Sequence, residues 1–309
     1  MKIPHNWRLN EIGNYDVDGD IRLTKDYIYD GKLQIRFGRV TGNFCCYKLE
    51  LSTLEGCPAE VGGNFDCTQN KLTTLKGAPK IVGGDFYCTS NLITSLKGAP
   101  KQVKGDFNCS FAKLTTLKGA PTTVGGSFYC SGNYLISLTG APTEVGGNFE
   151  CWETRLLSLR GAPKQVGGNF DCASNKLTTL KYAPKRVGGD FDCSSNQLTS
   201  LEGLPESIRG EFKCQANKLV VLKKVPRGAT KINCYDNPLS TISIGILQFL
   251  TTSNRFSDLI KQIHYIDWAE VSGSIYSYEQ WIPKSSRIEH INMTPQQARE
   301  LKALQLSWV

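Results

Sequence analysis

Histidine is nearly missing from this sequence. The 309 residues hold three, His5, His264 and His290, so the 258 residues between the first two contain none. Without imidazole, the body of the chain has neither a Ser-His-Asp set nor a histidine general base. Long apolar runs are missing as well. The longest, Ile242 to Leu250, is broken by Ser243 and Gln248 and falls far short of the roughly 20 residues of a membrane-spanning helix. The opening Met1-Lys2-Ile3-Pro4-His5 lacks the apolar core of about 7–15 residues that marks a secretory signal. No Cys-x-x-Cys pair occurs among the twelve cysteines, so the usual zinc-ligand spacing is absent. No metal, no cofactor and no membrane contact are expected.

What is present is a ladder. Ten cysteines, Cys46, Cys67, Cys88, Cys109, Cys130, Cys151, Cys172, Cys193, Cys214 and Cys234, step by 21 residues eight times and then by 20. A phenylalanine precedes nine of them by two residues, from Phe44 to Phe212, with Ile232 completing the row. An asparagine follows at the third residue after most of them, with breaks at Ala112 and Thr154. A fixed period in this range marks a solenoid. Phe-x-Cys has the period of a strand, so both side chains point to one face. The Gly-Gly before each strand is read as a tight turn with positive φ. The Gly-x-Pro segment opposes helix and favours an extended return. One unit cannot bury its apolar face alone, so neighbours must stack in parallel. A worn copy at Val17–Leu23 puts Ile21 and Leu23 in the Phe and Cys places and brings the expected strands to eleven.

The unit Val-Gly-Gly-x-Phe-x-Cys-x-x-Asn-x-Leu-x-x-Leu-x-Gly-x-Pro resembles the leucine-rich repeat. Phe191, Cys193, Asn196 and Leu198 fall on the later positions of that motif. The short return looks like the subclass found in secreted bacterial effectors, and the wording is closer still to repeats encoded by large tailed bacteriophages. The resemblance implies a leucine-rich-repeat-like solenoid with a parallel sheet on its concave face. It also implies expression in the host bacterial cytoplasm.

Three regions follow. Residues 1–42 read as an N-terminal cap with the degenerate first repeat, and 43–239 as the solenoid. Residues 240–309, with three of the five tryptophans, read as a mostly helical cap or subdomain. Helical spacing runs over 245–251 and 255–270, and the Thr294-Pro295 start signal places a helix at 295–305. The ladder cysteines point inward as small hydrophobes, and neighbouring rungs about 4.8 Å apart are too wide for a disulfide. Reduced core thiols suit a cytosolic compartment.

Charge is sorted by face. Residues 43–237 carry 23 basic and 16 acidic side chains. Ten of the acids fall on outward strand positions around Phe-x-Cys, among them Asp85, Asp106, Glu150, Glu153, Asp171 and Asp192. Most lysines line loop rows instead, such as Lys76, Lys97 and Lys118, or Lys80, Lys101, Lys164 and Lys185. Four large aromatics break the polar pattern of the sheet face: Tyr87, Phe111, Tyr129 and Trp152. Phe111 and Trp152 lie beside the two lost asparagines. Exposed aromatics on a polar sheet are interface anchors. The paired carboxylates Asp190–Asp192 and Glu150–Glu153 repeat along the face as a field rather than as one tuned catalytic pair.

The reading is a non-enzymatic protein-binding module. The named aromatics and acids would receive a protein partner, a bacterial host protein with a basic surface and in one version a defence factor. The alternatives are a nucleic-acid-associated protein using the lysine rows, which lack interleaved aromatics for base stacking, and a structural virion component. Oligomeric state is left open.

Overall fold

The computed structural model describes residues 6–243 and 265–267. Within them the Phe-x-Cys segments form one parallel sheet of eleven strands, from Ile21–Arg22 and Phe44–Cys45 through to Glu211–Lys213 and Lys231–Asn233. The 21-residue period becomes register: Phe86 pairs with Phe107, and Phe107 with Phe128. The chain is a parallel-strand solenoid, and its eleven strands are those counted from the repeat.

Alternation along each strand drives the packing. The nine phenylalanines are fully buried and stack ring on ring, with centroids 5.1–6.2 Å apart. Each ladder cysteine and the leucines that follow fill the rest of the core. The buried asparagines close the turns. Asn70 donates from Nδ2 to the carbonyls of Cys46 and Cys67, both at 2.9 Å, and its Oδ1 accepts from the amides of Leu49 and Leu51. A buried amide that satisfies its own polar atoms and its neighbours' backbone stabilises without leaving an orphan.

The returns differ from the sequence reading. They are not merely extended: they form a second sheet of ten strands, whose repeat members are two-residue pieces such as Ile81–Val82, Gln102–Val103 and Glu144–Val145. Their valines are buried against the phenylalanine stack. This sheet begins with an antiparallel pair, Trp7–Leu9 with Tyr15–Val17, which continues in parallel onto Phe37–Val40. Trp7 packs on Tyr15, Tyr27 and Phe37, so aromatic bulk closes the first turn of the core.

The Gly-Gly pairs also work differently. Neither glycine of a pair takes a positive φ; that angle falls on the glycine of Gly-x-Pro, as at Gly77 (φ 90°). The pair is explained by close approach: a Cβ on Gly83 would overlap the Gly62 carbonyl oxygen, and one on Gly84 would overlap Asn64 Oδ1. Finally, Tyr265–Asp267 is a strand paired with Thr241–Ser243, not part of a helix over 255–270. A parallel ladder partner takes precedence there over helical apolar spacing. The rest of that segment, with 245–251 and 295–305, lies outside the described residues.

All twelve cysteines are free thiols, and only Cys45 is more than marginally accessible. Burial pushes thiols such as Cys67, Cys109 and Cys151 well above their ordinary range. The thiolate is the reactive form. Native protein treated with a thiol reagent should therefore take up no more than one rapid label, at Cys45, and twelve after unfolding, as read by intact mass. Rapid uptake of several labels by the native chain would contradict this packing.

Candidate functional site

The residue before each phenylalanine and the one after it share the outer side of the sheet. The first row reads Asn43, Asn64, Asp85, Asp106, Ser127, Asn148, Asn169, Asp190. Each member accepts the backbone N–H of its counterpart one turn on. Asp85 takes that of Asp106 at 2.7 Å, Asp106 that of Ser127 at 2.7 Å, and Asp190 that of Glu211 at 2.8 Å. The second glycine of each Gly-Gly makes room for the accepting side chain. The signal was visible as a row of short oxygen acceptors, but the sequence reading treated Asp85 and Asp106 as steering charges. Asp85 is fully engaged, since its second oxygen accepts the Tyr87 hydroxyl at 2.7 Å. Partial burial, with that bond, pushes the Tyr87 phenol far above its ordinary range. Tyr87 is thus an anchored, half-buried side chain, and Asp85 is what holds it.

Phe111 and Trp152 come together although they lie two turns apart. The Phe111 ring crosses the intervening turn above Gly132 and meets Trp152 edge to face, with centroids 5.6 Å apart. Gly132 is required there: its φ is +65°, and a Cβ would overlap the Phe111 ring. Phe111 itself takes the left-handed angle shared by this position throughout the repeat, and 53% of its surface is exposed. The indole N–H of Trp152 donates to Glu150 Oε2 at 3.3 Å. Of the two asparagine losses, the one at Thr154 is repaired in part. Its hydroxyl lies 3.0 Å from the Cys151 carbonyl and 2.8 Å from Asn175 Oδ1. Tyr129 sits in strand register next to Glu150, half-buried. Glu153 is exposed on the rim, also at a left-handed angle (φ 52°).

Glu150, Asp171 and Asp192 follow one another in register on adjacent strands. Asp171 is the most hemmed in. Burial, together with the charges of Asp192 and Glu150, pushes its carboxyl up to about 6, although the Ala173 amide donates to it at 2.9 Å. The folded chain therefore holds this proton more tightly than the unfolded chain, whose carboxyl titrates near 4. Its contribution to stability is fully present below about pH 4 and is lost as pH rises through about 6. Asp171→Asn should keep the Ala173 bond, as Asn108 does with Ser110 in the same place. The variant should be more stable than the parent at pH 8, by about 2 kcal/mol. Urea unfolding at pH 4, 6 and 8 measures it: an advantage that does not grow with pH would contradict this environment. The acidic row ends at Lys213, whose Nζ lies 3.1 Å from Asp190 Oδ2.

The arrangement is an aromatic pair on the turns just after the strands, Phe111 exposed and Trp152 half-buried, beside a row of carboxylates held on the strands themselves. Among the described residues, no group of three or more potential metal ligands converges. The class this defines is a parallel-strand solenoid with a mixed aromatic and acidic sheet face. No protein-family model matches the chain, and no curated protein matches it. Among solved structures it is similar to YopM from Yersinia enterocolitica WA-314, at 17% identity and a TM-score of 0.46, over 68% of this chain and 56% of that one. It is also similar to YopM of Yersinia pestis, a leucine-rich effector protein, at 16% identity and a TM-score of 0.37, over 65% of this chain and 67% of that one. The chain thus spans little more than half the length of the first of these proteins.

Proposed function

We propose that the chain is a non-enzymatic protein-binding module whose sheet face receives a basic protein. The observation that carries the reading is the Phe111–Trp152 pair. The fold brings the two rings together across Gly132, leaves Phe111 half exposed, and ties Trp152 to Glu150, whose neighbour in register is Asp171. An apolar anchor with a row of carboxylates on one side fits a hot spot with electrostatic steering. A cationic side chain placed beside Asp171 would also relieve the crowding of the carboxylates. In this proposal the chain is phage-encoded and its partner is a protein met in the cytoplasm of the bacterial host, a defence factor being one such target. The wording of the repeat supports the first part, and the reduced, buried thiols suit the compartment.

The test is capture of a partner from bacterial lysate, then titration of that purified partner. Trp152→Ala should weaken the complex about 30-fold, equivalent to about 2 kcal/mol, and leave thermal unfolding unchanged. Lys101→Glu with Lys164→Glu should change affinity little. Loss of binding with the lysine changes and not with Trp152→Ala would overturn the proposal in favour of a basic-row, nucleic-acid reading.

A further inference from the structure

A second surface lies on the loop flank between the asparagine ladder and the Gly-x-Pro turn. Here the fourth residue after each cysteine is commonly lysine (Lys71, Lys113, Lys176, Lys218), and the sixth is commonly threonine (Thr73, Thr94, Thr115, Thr178, Thr199). On two adjacent turns, those of Cys130 and Cys151, both positions change, giving Tyr134 and Ile136, then Arg155 and Leu157. Tyr134, Ile136 and Leu157 are 44%, 60% and 57% exposed. Backbone register holds them together: the Leu157 amide donates to the Ile136 carbonyl at 3.1 Å. The Arg155 guanidinium lies 4.3 Å from the centre of the Tyr134 ring.

The surroundings are of one sign. Across the four turns from 113 to 181, this flank carries Lys113, Lys118, Arg155, Arg160, Lys176 and Lys181, all exposed, and no acid. None of the six forms an ion pair among the described residues, whereas Lys71 and Lys76, on an earlier turn, are paired with Glu50 and Glu55. An apolar island placed where the repeat otherwise writes lysine and threonine costs solubility. Six unpaired cations around it make a complementary field for carboxylates.

We infer that this flank docks a protein segment that sets apolar anchors between aspartates or glutamates. The anchors rest on Tyr134, Ile136 and Leu157, and the carboxylates meet the surrounding lysines and arginines. The surface is opposite in sign to the sheet face, so the two select different partners. The inference stands whether or not the sheet face binds as proposed.

A displayed library of random twelve-residue peptides tests it, panned on the full-length protein and counter-selected on the Ile136→Lys, Leu157→Lys double variant. Both side chains point to solvent, and matching thermal unfolding will confirm that the variant is folded. The expected result is a set of peptides kept by the parent alone, rich in Asp and Glu beside Leu, Ile, Phe or Trp. Their affinity should fall at least tenfold with Lys113→Glu and Lys176→Glu, weaken with salt, and survive Trp152→Ala. Discriminating peptides that are basic, or the absence of any discriminating peptide, would overturn the inference. So would binding to phosphatidylglycerol vesicles that disappears in the double variant, which would assign the flank to a membrane surface. Self-association seen by sedimentation and abolished in that variant would assign it to a second copy, and would overturn the inference too.

Discussion

Phe128→Ala should cost about 3–5 kcal/mol of stability, among the largest effects of any single truncation in this chain. The ring is fully buried in the middle of the solenoid, with Phe107 on one side and Phe149 on the other, each 5.4 Å away between centroids. Its neighbours cannot collapse into the gap, because each is fixed by its own strand register: Phe107 and Phe149 are both backbone-paired to the same strand. The vacancy therefore persists, and the cavity penalty adds to the lost transfer energy. In a solenoid, stability is close to a sum of unit and nearest-neighbour terms, so one vacancy weakens two interfaces at once. Phe212→Ala should cost less. The ring spacing there has already widened to 6.2 Å from Phe191, and the next rung is Ile232. Urea denaturation measures both, as a shift in midpoint. Equal losses at the two positions would mean that stacking contributes little beyond burial.

The strand sheet was legible because Phe-x-Cys recurs without a break, so periodicity and register carry the same information. Ile21 and Leu23 could be placed as a worn first rung for the same reason, and both are buried. What lay outside the sequence reading depends on contacts between turns rather than within one. Val82 looks like part of an extended connection until Val61 and Val103 are seen in register on either side of it. Gly-Gly suggests a left-handed turn, yet its cause is a carbonyl or a carboxylate one turn away. At the candidate site the aromatics could be found as departures from the repeat. Their meeting could not: Phe111 and Trp152 are 41 positions apart in the chain and touch only because Gly132 lacks a side chain. Asp85 and Asp171 look alike in the sequence. One is consumed by a backbone amide and a tyrosine, and the other is crowded by like charges, a distinction set by neighbours on other turns.

Asn175→Ala should be the most damaging change in the asparagine ladder, on the order of 4 kcal/mol, with unsatisfied buried polar groups each costing about 1–3 kcal/mol. Its Oδ1 accepts the amides of Thr154, Arg155 and Leu156 at 2.9–3.1 Å and lies 2.8 Å from the Thr154 hydroxyl. Its Nδ2 donates to the carbonyls of Cys151 and Cys172. One turn earlier the ladder has already lost its asparagine, and Thr154 remakes only part of that network, with Asn175 as its support. Asn196 is the natural control. Its Oδ1 accepts the Leu177 amide at 2.9 Å, and the turn before it carries an intact asparagine. Asn196→Ala should therefore cost distinctly less than Asn175→Ala. Thr154→Asn should restore the ladder and narrow the gap between them. Because Trp152 lies two residues before Thr154, loosening this turn should also release the indole from Glu150. Tryptophan fluorescence during urea unfolding of Asn175→Ala should then change before the main transition. A single transition with the Asn196→Ala midpoint would show that Asn175 carries no more load than its neighbours.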